Sequence, residues 1–386
     1  MLAQYFDPAA GGSERQACQQ AEDLVQAGME VTVLARRACG VREQAIGGVR
    51  EIRIGTPDSP GPLEGGSLWA SVLFGLRAAL HILRRGGSYD VLHLQGAGLV
   101  ALLAVPAARW RGMRTVAKVS GGRSGTEAGS LRERGGLLAR LSLKVFRQVD
   151  AWIAVSGEIA AGLEADGIRP ERIHRIGNAV DVGRFRPLPP GDREPIRQAL
   201  QWPPGTPVAL FSGRLVPSKG LLPFLDAWRG TVKPEGALLV ILGDGPERPV
   251  LEEAVRRDPS VRLLGRRDDV ERVLGASDVF VFPSRREGMP NAVLEAMACG
   301  LPVAAFRIGG VQDLVEDGRE GLLLSEGDDP GLARAAAALL GDPLRRKVLG
   351  EAGRVRALGK GREATAQALV ACFSKLRSSQ GTGKSL

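Results

Sequence analysis

Val279-Phe280-Val281-Phe282-Pro283-Ser284-Arg285-Arg286-Glu287-Gly288-Met289-Pro290-Asn291-Ala292-Val293-Leu294-Glu295-Ala296-Met297-Ala298-Cys299-Gly300 is the stretch that decides how this chain folds. It opens on an unbroken apolar run with β-branched Val279 and Val281, the pattern of a strand covered on both faces. A Gly288-Met289-Pro290 turn follows. Pro290 with Asn291 then opens a helix, since proline's fixed φ and missing N–H suit a helix start. Cys299-Gly300 ends it. A buried strand that passes through a short turn into a helix is half of a parallel βαβ unit.

The same unit recurs in both directions. Downstream and upstream of it, Val208–Ser212, Leu238–Leu242, Val261–Leu264, Pro302–Ala305 and Gly321–Leu324 read as further strands of one series. Nearer the start, Val31–Ala35, Val91–Leu94, Thr115–Val119 and Trp152–Val155 alternate with helical spacing over Glu14–Gln26, Leu68–Arg84, Leu99–Arg111 and Leu131–Gln148. Two βαβ series predict an α/β protein of two Rossmann-like, doubly wound domains facing a cleft. The proline-crowded segment Pro187–Pro207 separates the series, because no compact element tolerates that density throughout. The expected domains are residues 1–187 and 188–365. Residues 366–386 read as a C-terminal helix, free to return to the first domain, and a tail that is polar and disordered after Lys375.

The first series begins abruptly. Met1-Leu2-Ala3-Gln4-Tyr5-Phe6 leaves little room for a buried strand ahead of the glycine loop Gly11-Gly12-Ser13-Glu14. Either that strand is very short or the natural product starts further upstream.

Composition narrows the class. Of 386 residues 44% are apolar and 25% charged, as in an average globular protein, and the length suits two domains better than one core. No apolar run reaches a membrane-spanning length, and Ser67–Leu83 is broken by Arg77 and His81, so an amphipathic helix is expected there. Cys18, Cys39, Cys299 and Cys372 lie far apart, which indicates neither a zinc site nor a disulfide framework and points to a reducing cytoplasm. The formal net charge of +9 concentrates in Arg109–Arg147, which sets ten Lys/Arg against Glu127 and Glu133. With Trp110 and Phe146 as its aromatics, that stretch offers no stacking platform for nucleic acid; an anionic lipid surface or a phosphate-bearing acceptor fits it better.

Two segments carry chemistry. In Phe211-Ser212-Gly213-Arg214-Leu215-Val216-Pro217-Ser218-Lys219-Gly220 a glycine at a strand end precedes two cations five residues apart and then a helix, an arrangement able to hold a diphosphate and its growing charge as it leaves. The phosphate-loop pattern G-x-x-x-x-G-K-[ST] is absent. In the opening stretch, Glu287 stands at the strand-to-loop end and Glu295 about one turn into the helix, where two carboxylates can accept hydrogen bonds from sugar hydroxyls at separate points. Two acids at that spacing, taken alone, are usually solvated surface groups; the strand, turn and helix around them reverse the balance.

The block Gly213–Leu324 resembles the donor domain of family 4 retaining glycosyltransferases, which have the two-domain GT-B fold. The resemblance rests on Gly213-Arg214-Leu215 with Lys219-Gly220, Leu242-Gly243-Asp244-Gly245-Pro246, Ala276-Ser277-Asp278, Pro283-Ser284 with Glu287 and Glu295, and Gly309-Gly310. The first half matches more loosely through Gly11-Gly12-Ser13-Glu14, Asp90-Val91-Leu92-His93 and Asn178-Ala179-Val180-Asp181. The resemblance implies an acceptor side in residues 1–187 and nucleotide-sugar binding in 188–365. It implies that Arg214 and Lys219, with Gly213 beside them, contact the donor diphosphate, and that Glu295 binds the ribose. Glu287 would hold the donor sugar, helped by backbone amides of the Gly288-Met289-Pro290-Asn291 turn, with the base near Arg267. Gly12 would approach the phosphates from the first domain on closure.

The reaction so implied is transfer of a sugar from a UDP- or GDP-linked donor to a hydroxyl, with retention and with no metal or other cofactor, in cell-surface polysaccharide or glycolipid synthesis. A lipid-linked acceptor would place the enzyme in the cytoplasm, peripherally on the inner face of the membrane. Two positions depart from the family: Gln95 and Ser120 stand where histidines are usual, and Lys118-Val119-Ser120-Gly121-Gly122-Arg123 reads as a flexible basic loop. His93, inside an apolar run, reads as a core or loop-anchoring histidine. Rival readings are a nucleotide-sugar epimerase of the same fold and a catalytically silent sugar-nucleotide-binding module. A NAD-dependent dehydrogenase is disfavoured because G-x-G-x-x-G is missing.

Overall fold

The computed structural model describes residues 1–7, 11–37, 41–56, 68–96, 98–121, 137–256 and 258–381. The chain divides into two compact units, Met1–Asn178 with Arg362–Leu386, and Ala179–Gly361. The division falls after Asn178, ahead of the proline-rich segment at Pro187. The reason is local: Val180 forms a parallel bridge with Gly361, and the Arg354 guanidinium donates to the carbonyls of Val182 (3.1 Å) and Phe185 (2.8 Å), which ties residues 180–185 to the second unit. Within the proline-rich stretch itself a short helix, Arg193–Ala199, still forms.

The first unit holds an eight-stranded sheet. In chain order its elements are β1 (Leu2–Ala3), α1 (Gly12–Gln26), β2 (Thr32–Arg37), β3 (Val41–Ile46), β4 (Val49–Gly55), α2 (Leu68–Arg85), β5 (Val91–Gln95), α3 (Leu99–Trp110), β6 (Arg114–Val119), α4 (Leu137–Phe146), β7 (Ala151–Ala154), α5 (Gly157–Ala165) and β8 (Ile173–Arg175). The sheet order is β3-β4-β2-β1-β5-β6-β7-β8, parallel throughout except for the β3–β4 hairpin at one edge. β1 is two residues long, yet Leu2 pairs with both Leu34 and Leu94 and so sits in the middle of the sheet. The hairpin was not expected. Its signal is the Gly47-Gly48 dipeptide, with φ of 58° and 80°, between two alternating runs.

The C-terminal helix spans Arg362–Gly381 and packs on the first unit. Leu369, Cys372 and Phe373 share a core with Leu24, Val116 and Ile153, and Arg362 donates to Asp23 at 2.7 Å. It continues past Lys375, where a disordered tail was expected, because Leu376 still packs against that core. Of the basic segment Leu131–Gln148, residues 131–136 lie outside the described residues.

The second unit carries α6 (Arg193–Ala199), β9 (Val208–Ser212), α7 (Leu221–Gly230), β10 (Leu238–Leu242), α8 (Arg248–Val255), β11 (Val261–Gly265), α9 (Val270–Ala276), β12 (Val279–Phe282), α10 (Asn291–Ala298), β13 (Val303–Phe306), α11 (Gly309–Gln312), β14 (Gly321–Leu324), α12 (Asp329–Gly341) and α13 (Pro343–Leu358). Its six strands are all parallel, in the order β11-β10-β9-β12-β13-β14. β9, β10, β12 and β13 are buried at every residue, as their unbroken apolar sequences demand. The strand order reverses between β9 and β12. In an open doubly wound sheet the loops leaving the carboxyl ends of that pair diverge to opposite sides and leave a crevice, the ordinary place for a ligand.

Candidate active site

Both chemistry-bearing segments leave the sheet at this reversal. The loop after β9 carries Gly213, Arg214 and Lys219; the loop after β12 carries Ser284 and Glu287. They are far apart in sequence and in contact in space, because β9 and β12 are neighbours.

Close backbone approach builds the first loop. Gly213 N donates to Leu242 O at 3.0 Å and Leu215 N to Asp244 O at 2.9 Å, so this loop runs against the one after β10. Gly243 has φ of 145°, and a Cβ there would stand 1.8 Å from Gly213 O; only glycine allows the two loops to touch. Further on, Pro217–Lys219 makes one 3-10 turn and Gly220 (φ 65°) caps α7 in the left-handed region. A Cβ on Gly220 would lie 2.5 Å from Pro283 O, which places the loop after β12 directly over it. Arg285 N donates to Ser218 O at 2.9 Å and fastens the two together.

The side chains then converge. Lys219 Nζ donates to Glu287 Oε1 and stands 5.2 Å from the centre of the Phe282 ring. Ser284 Oγ donates to the same carboxylate oxygen at 2.6 Å. Lys219 and Glu287 are 18% and 15% exposed, so the pair is mostly withdrawn from water yet reachable. Pro283-Ser284 is part of the family resemblance, yet no role for Ser284 followed from it; the hydrogen bond to Glu287 is the contact that the sequence reading missed.

Arg214 is exposed, and among the described residues no carboxylate forms an ion pair with it. The turn that follows Glu287 is buried at Gly288, Met289 and Pro290, and α10 starts at Asn291 with Pro290 as its cap. Glu295 is half-buried one turn into α10. Its charge, after burial, helps push the neighbouring Cys299 thiol up to about 12, so that cysteine stays protonated and unreactive. Arg267 lies just past β11 and makes a two-pronged pair with Asp269, at 2.7 and 2.8 Å. Asp269 is thereby held below the usual carboxylate range, and the backbone carbonyl of Asp268 accepts from the Arg184 guanidinium at 2.6 Å. Gly12 belongs to the first unit, where it opens α1.

In the first unit, Gln95 Nε2 donates to Gln20 Oε1 at 3.0 Å. Lys118, which the sequence placed both in the strand Thr115–Val119 and at the start of a basic loop, is buried in β6 beside Gln95, and desolvation holds its ammonium down at about 8. His93 is buried against the Phe373 ring, 5.4 Å between centroids, with neither ring nitrogen hydrogen-bonded among the described residues. Burial first, then the Met1 ammonium and Lys118, hold its imidazole at about 3, so it is neutral at any ordinary pH.

Comparison with known proteins fits this geometry. A model described as Glycosyltransferase Family 4 matches residues 10–184, and one described as Glycosyl transferases group 1 matches residues 206–342. A D-inositol 3-phosphate glycosyltransferase of Catenulispora acidiphila is 32% identical over 400 residues, covering 95% of this chain and 90% of that protein. The chain belongs to glycosyltransferase family 4. A GDP-mannose-dependent alpha-mannosyltransferase of Mycobacterium tuberculosis is 33% identical over 281 residues, covering 69% of this glycosyltransferase and 70% of the relative. The fold is GT-B: the structure of Anabaena HepE in complex with UDP superimposes with a TM-score of 0.76 at 19% identity, covering 97% of this chain and 98% of that one. The protein is thus a glycosyltransferase, and its relatives favour neither the epimerase nor the silent binding module. Among the described residues no helix is long and apolar enough to cross a membrane.

Proposed function

We propose that this glycosyltransferase moves a sugar, with retention at the anomeric carbon, from a UDP- or GDP-linked donor to a hydroxyl of a glycolipid or cell-surface polysaccharide precursor. The observation that carries the reading is the meeting of Lys219 and Glu287 at the strand-order reversal of the second sheet. A cation there can take the charge that grows on a leaving diphosphate, and the carboxylate beside it can accept hydroxyls of the attached sugar. Arg214, exposed on the same loop, is the second diphosphate cation. Glu295 accepts the ribose hydroxyls from α10, the amides of the Gly288–Asn291 turn assist Glu287 with the sugar, and the base lies near Arg267.

In this reading the acceptor oxygen attacks the anomeric carbon on the face from which the diphosphate departs, and the departing phosphate oxygen takes the acceptor proton. No protein base is then required, in keeping with Gln95 and Ser120 at the positions where histidines are usual. Arg214 and Lys219 supply positive charge of the kind a divalent ion supplies elsewhere, so turnover is expected to survive a chelator. Calorimetry with UDP, GDP and ADP, followed by nucleotide release from the matching sugar nucleotides, identifies the donor. Proton NMR of the product decides the stereochemistry; an inverted centre would overturn the mechanism. For the acceptor, relatives include a mannosyltransferase named for a phosphatidylinositol mannoside, which supports a peripheral location at the cytoplasmic face of a membrane.

A further inference from the structure

Helix α2 is apolar on two opposite sides. Ala70, Phe74, Ala78 and Ile82 point into the core of the first unit and are buried. On the far side, Trp69 (81% exposed), Leu76 (50%), Leu80 (46%) and Leu83 (36%) fall within about one-sixth of the helix circumference, at 3.6 residues per turn. That stripe runs roughly 20 Å along the helix. A helix hydrophobic on both sides is normally covered on both, and this one is covered on one.

The neighbouring α3 extends the surface. A Cβ on Gly75 would lie 2.9 Å from Leu103 and one on Gly86 2.9 Å from Arg111, so α2 and α3 lie side by side in parallel, with their C-terminal ends together. At that shared end Trp110 is 76% exposed, and Arg84, Arg85 and Arg111, at the C-terminal ends of the same two helices, are exposed as well. Neither helix contains an Asp or Glu. Among the described residues, Asp150 pairs with Arg109 of α3 at 3.7 Å, Glu43 with Arg50 at 2.9 Å and Asp90 with Arg377 at 3.7 Å, so these acids are already engaged.

We propose that the outer face of α2 and the C-terminal end of α3 seat this enzyme on an anionic lipid bilayer, the indoles and leucines entering the interface and the arginines meeting lipid phosphates. The proposal deepens the reading of a membrane-borne acceptor and rests on it for its biological sense. Apolar side chains with tryptophan at both ends and cations at one edge suit the headgroup boundary, where indole rings partition and arginine stems can lie along apolar surface. A protein partner of opposite charge would match the arginines but would leave Trp69, at the other end of the stripe, without a reason. This face also differs from the basic segment Leu131–Gln148: its contribution is insertion, which persists at high salt, with charge adding to it.

The test is flotation of the full chain with vesicles of phosphatidylglycerol and phosphatidylcholine, read together with tryptophan emission. Trp69 and Trp110 are exposed whereas Trp152, Trp202 and Trp228 are buried, so a blue shift on binding reports this face. Binding with a blue shift is expected, weakened roughly tenfold or more by Leu76→Gln with Leu80→Gln and by Arg84→Glu with Arg85→Glu. These positions are exposed, and an unchanged circular dichroism spectrum and urea unfolding curve confirm that each variant is folded. Absence of vesicle binding, or binding that ignores both double variants, overturns the proposal. So does a wild-type dimer, on light scattering, that the leucine variant dissolves without any lipid binding, since the face would then belong to a second copy. Donor hydrolysis without vesicles is measured alongside, so failure of the glycosyltransferase reading shows separately from failure of the lipid surface.

Discussion

Replacing Lys219 by methionine removes the cation that contacts Glu287 while keeping most of the stem volume over Phe282. Its cost in stability follows from burial. Fully exposed pairs contribute about 0–1 kcal/mol and breaking a fully buried one costs about 3–5 kcal/mol. At 18% and 15% exposure this pair lies between, and Glu287 keeps its 2.6 Å hydrogen bond from Ser284, so a loss of about 1–3 kcal/mol is expected. Turnover should fall separately, by roughly a hundredfold, the usual effect of losing a preorganised charge-stabilising contact. The double variant Lys219→Met with Glu287→Gln isolates the two effects. Neutralising the stranded carboxylate should restore most of the stability, measured by urea unfolding, and should leave turnover at or below the single variant, measured by nucleotide release. If turnover recovers along with stability, the pair is structural and the diphosphate lies elsewhere.

Arg214→Ala should lower kcat by roughly a hundredfold with little effect on stability, because the side chain is exposed; near-normal kcat in both Arg214→Ala and Lys219→Met would exclude the proposed clamp. Glu295→Gln should weaken binding of the bare nucleoside diphosphate in calorimetry, whereas Glu287→Gln should spare it and weaken only the sugar nucleotide; equal effects on the bare nucleotide contradict the division of roles. Gly220→Ala must adopt φ of 65° with its Cβ 2.5 Å from Pro283 O, so a loss of about 2–4 kcal/mol on unfolding is expected, with a fall in turnover as the Glu287 loop is displaced; wild-type stability would show that the contact relaxes freely. His93 has its pKa held at about 3 in the folded chain. An unfolded histidine titrates near 6.5, so the unfolded state binds the extra proton and stability drops as pH falls from about 6.5 towards about 3, by about 2 kcal/mol at pH 5. His93→Phe should remove that slope, and an unchanged slope would assign it to other groups.

The strands of the second sheet were legible almost to the residue because covering on both faces leaves an uninterrupted apolar run, a signal that survives without tertiary context. The β3–β4 edge was not. Its alternation is half polar, Val49-Arg50-Glu51-Ile52-Arg53-Ile54, and resembles a solvated loop until Gly47-Gly48 is read as a turn. Lys118 was given two readings, inside the strand Thr115–Val119 and at the head of a basic loop, and the strand reading holds. A lysine at the end of an apolar strand reads as the start of a loop, because burying an unpaired ammonium is costly, and nothing local to Thr115–Val119 shows that its neighbours bury it.

The candidate site divides along the same line. Gly213, Arg214, Lys219, Glu287 and Glu295 were singled out as candidates because each sits in a local pattern of strand end, turn and helix start. That Lys219 touches Glu287 depends on the order β11-β10-β9-β12-β13-β14, which puts β12 beside β9 with two other strands intervening in sequence. Strand order is a property of right-handed crossovers repeated on either side of a starting strand, and no composition or spacing encodes it. Close approach records it instead. Gly220 is a glycine because the backbone leaving β12 passes over it, and Gly243 because the loop leaving β9 does. These glycines are the sequence's indirect trace of the crevice: each marks a place where two loops, remote in the chain, leave no room for a side chain and so hold their charged residues against one another.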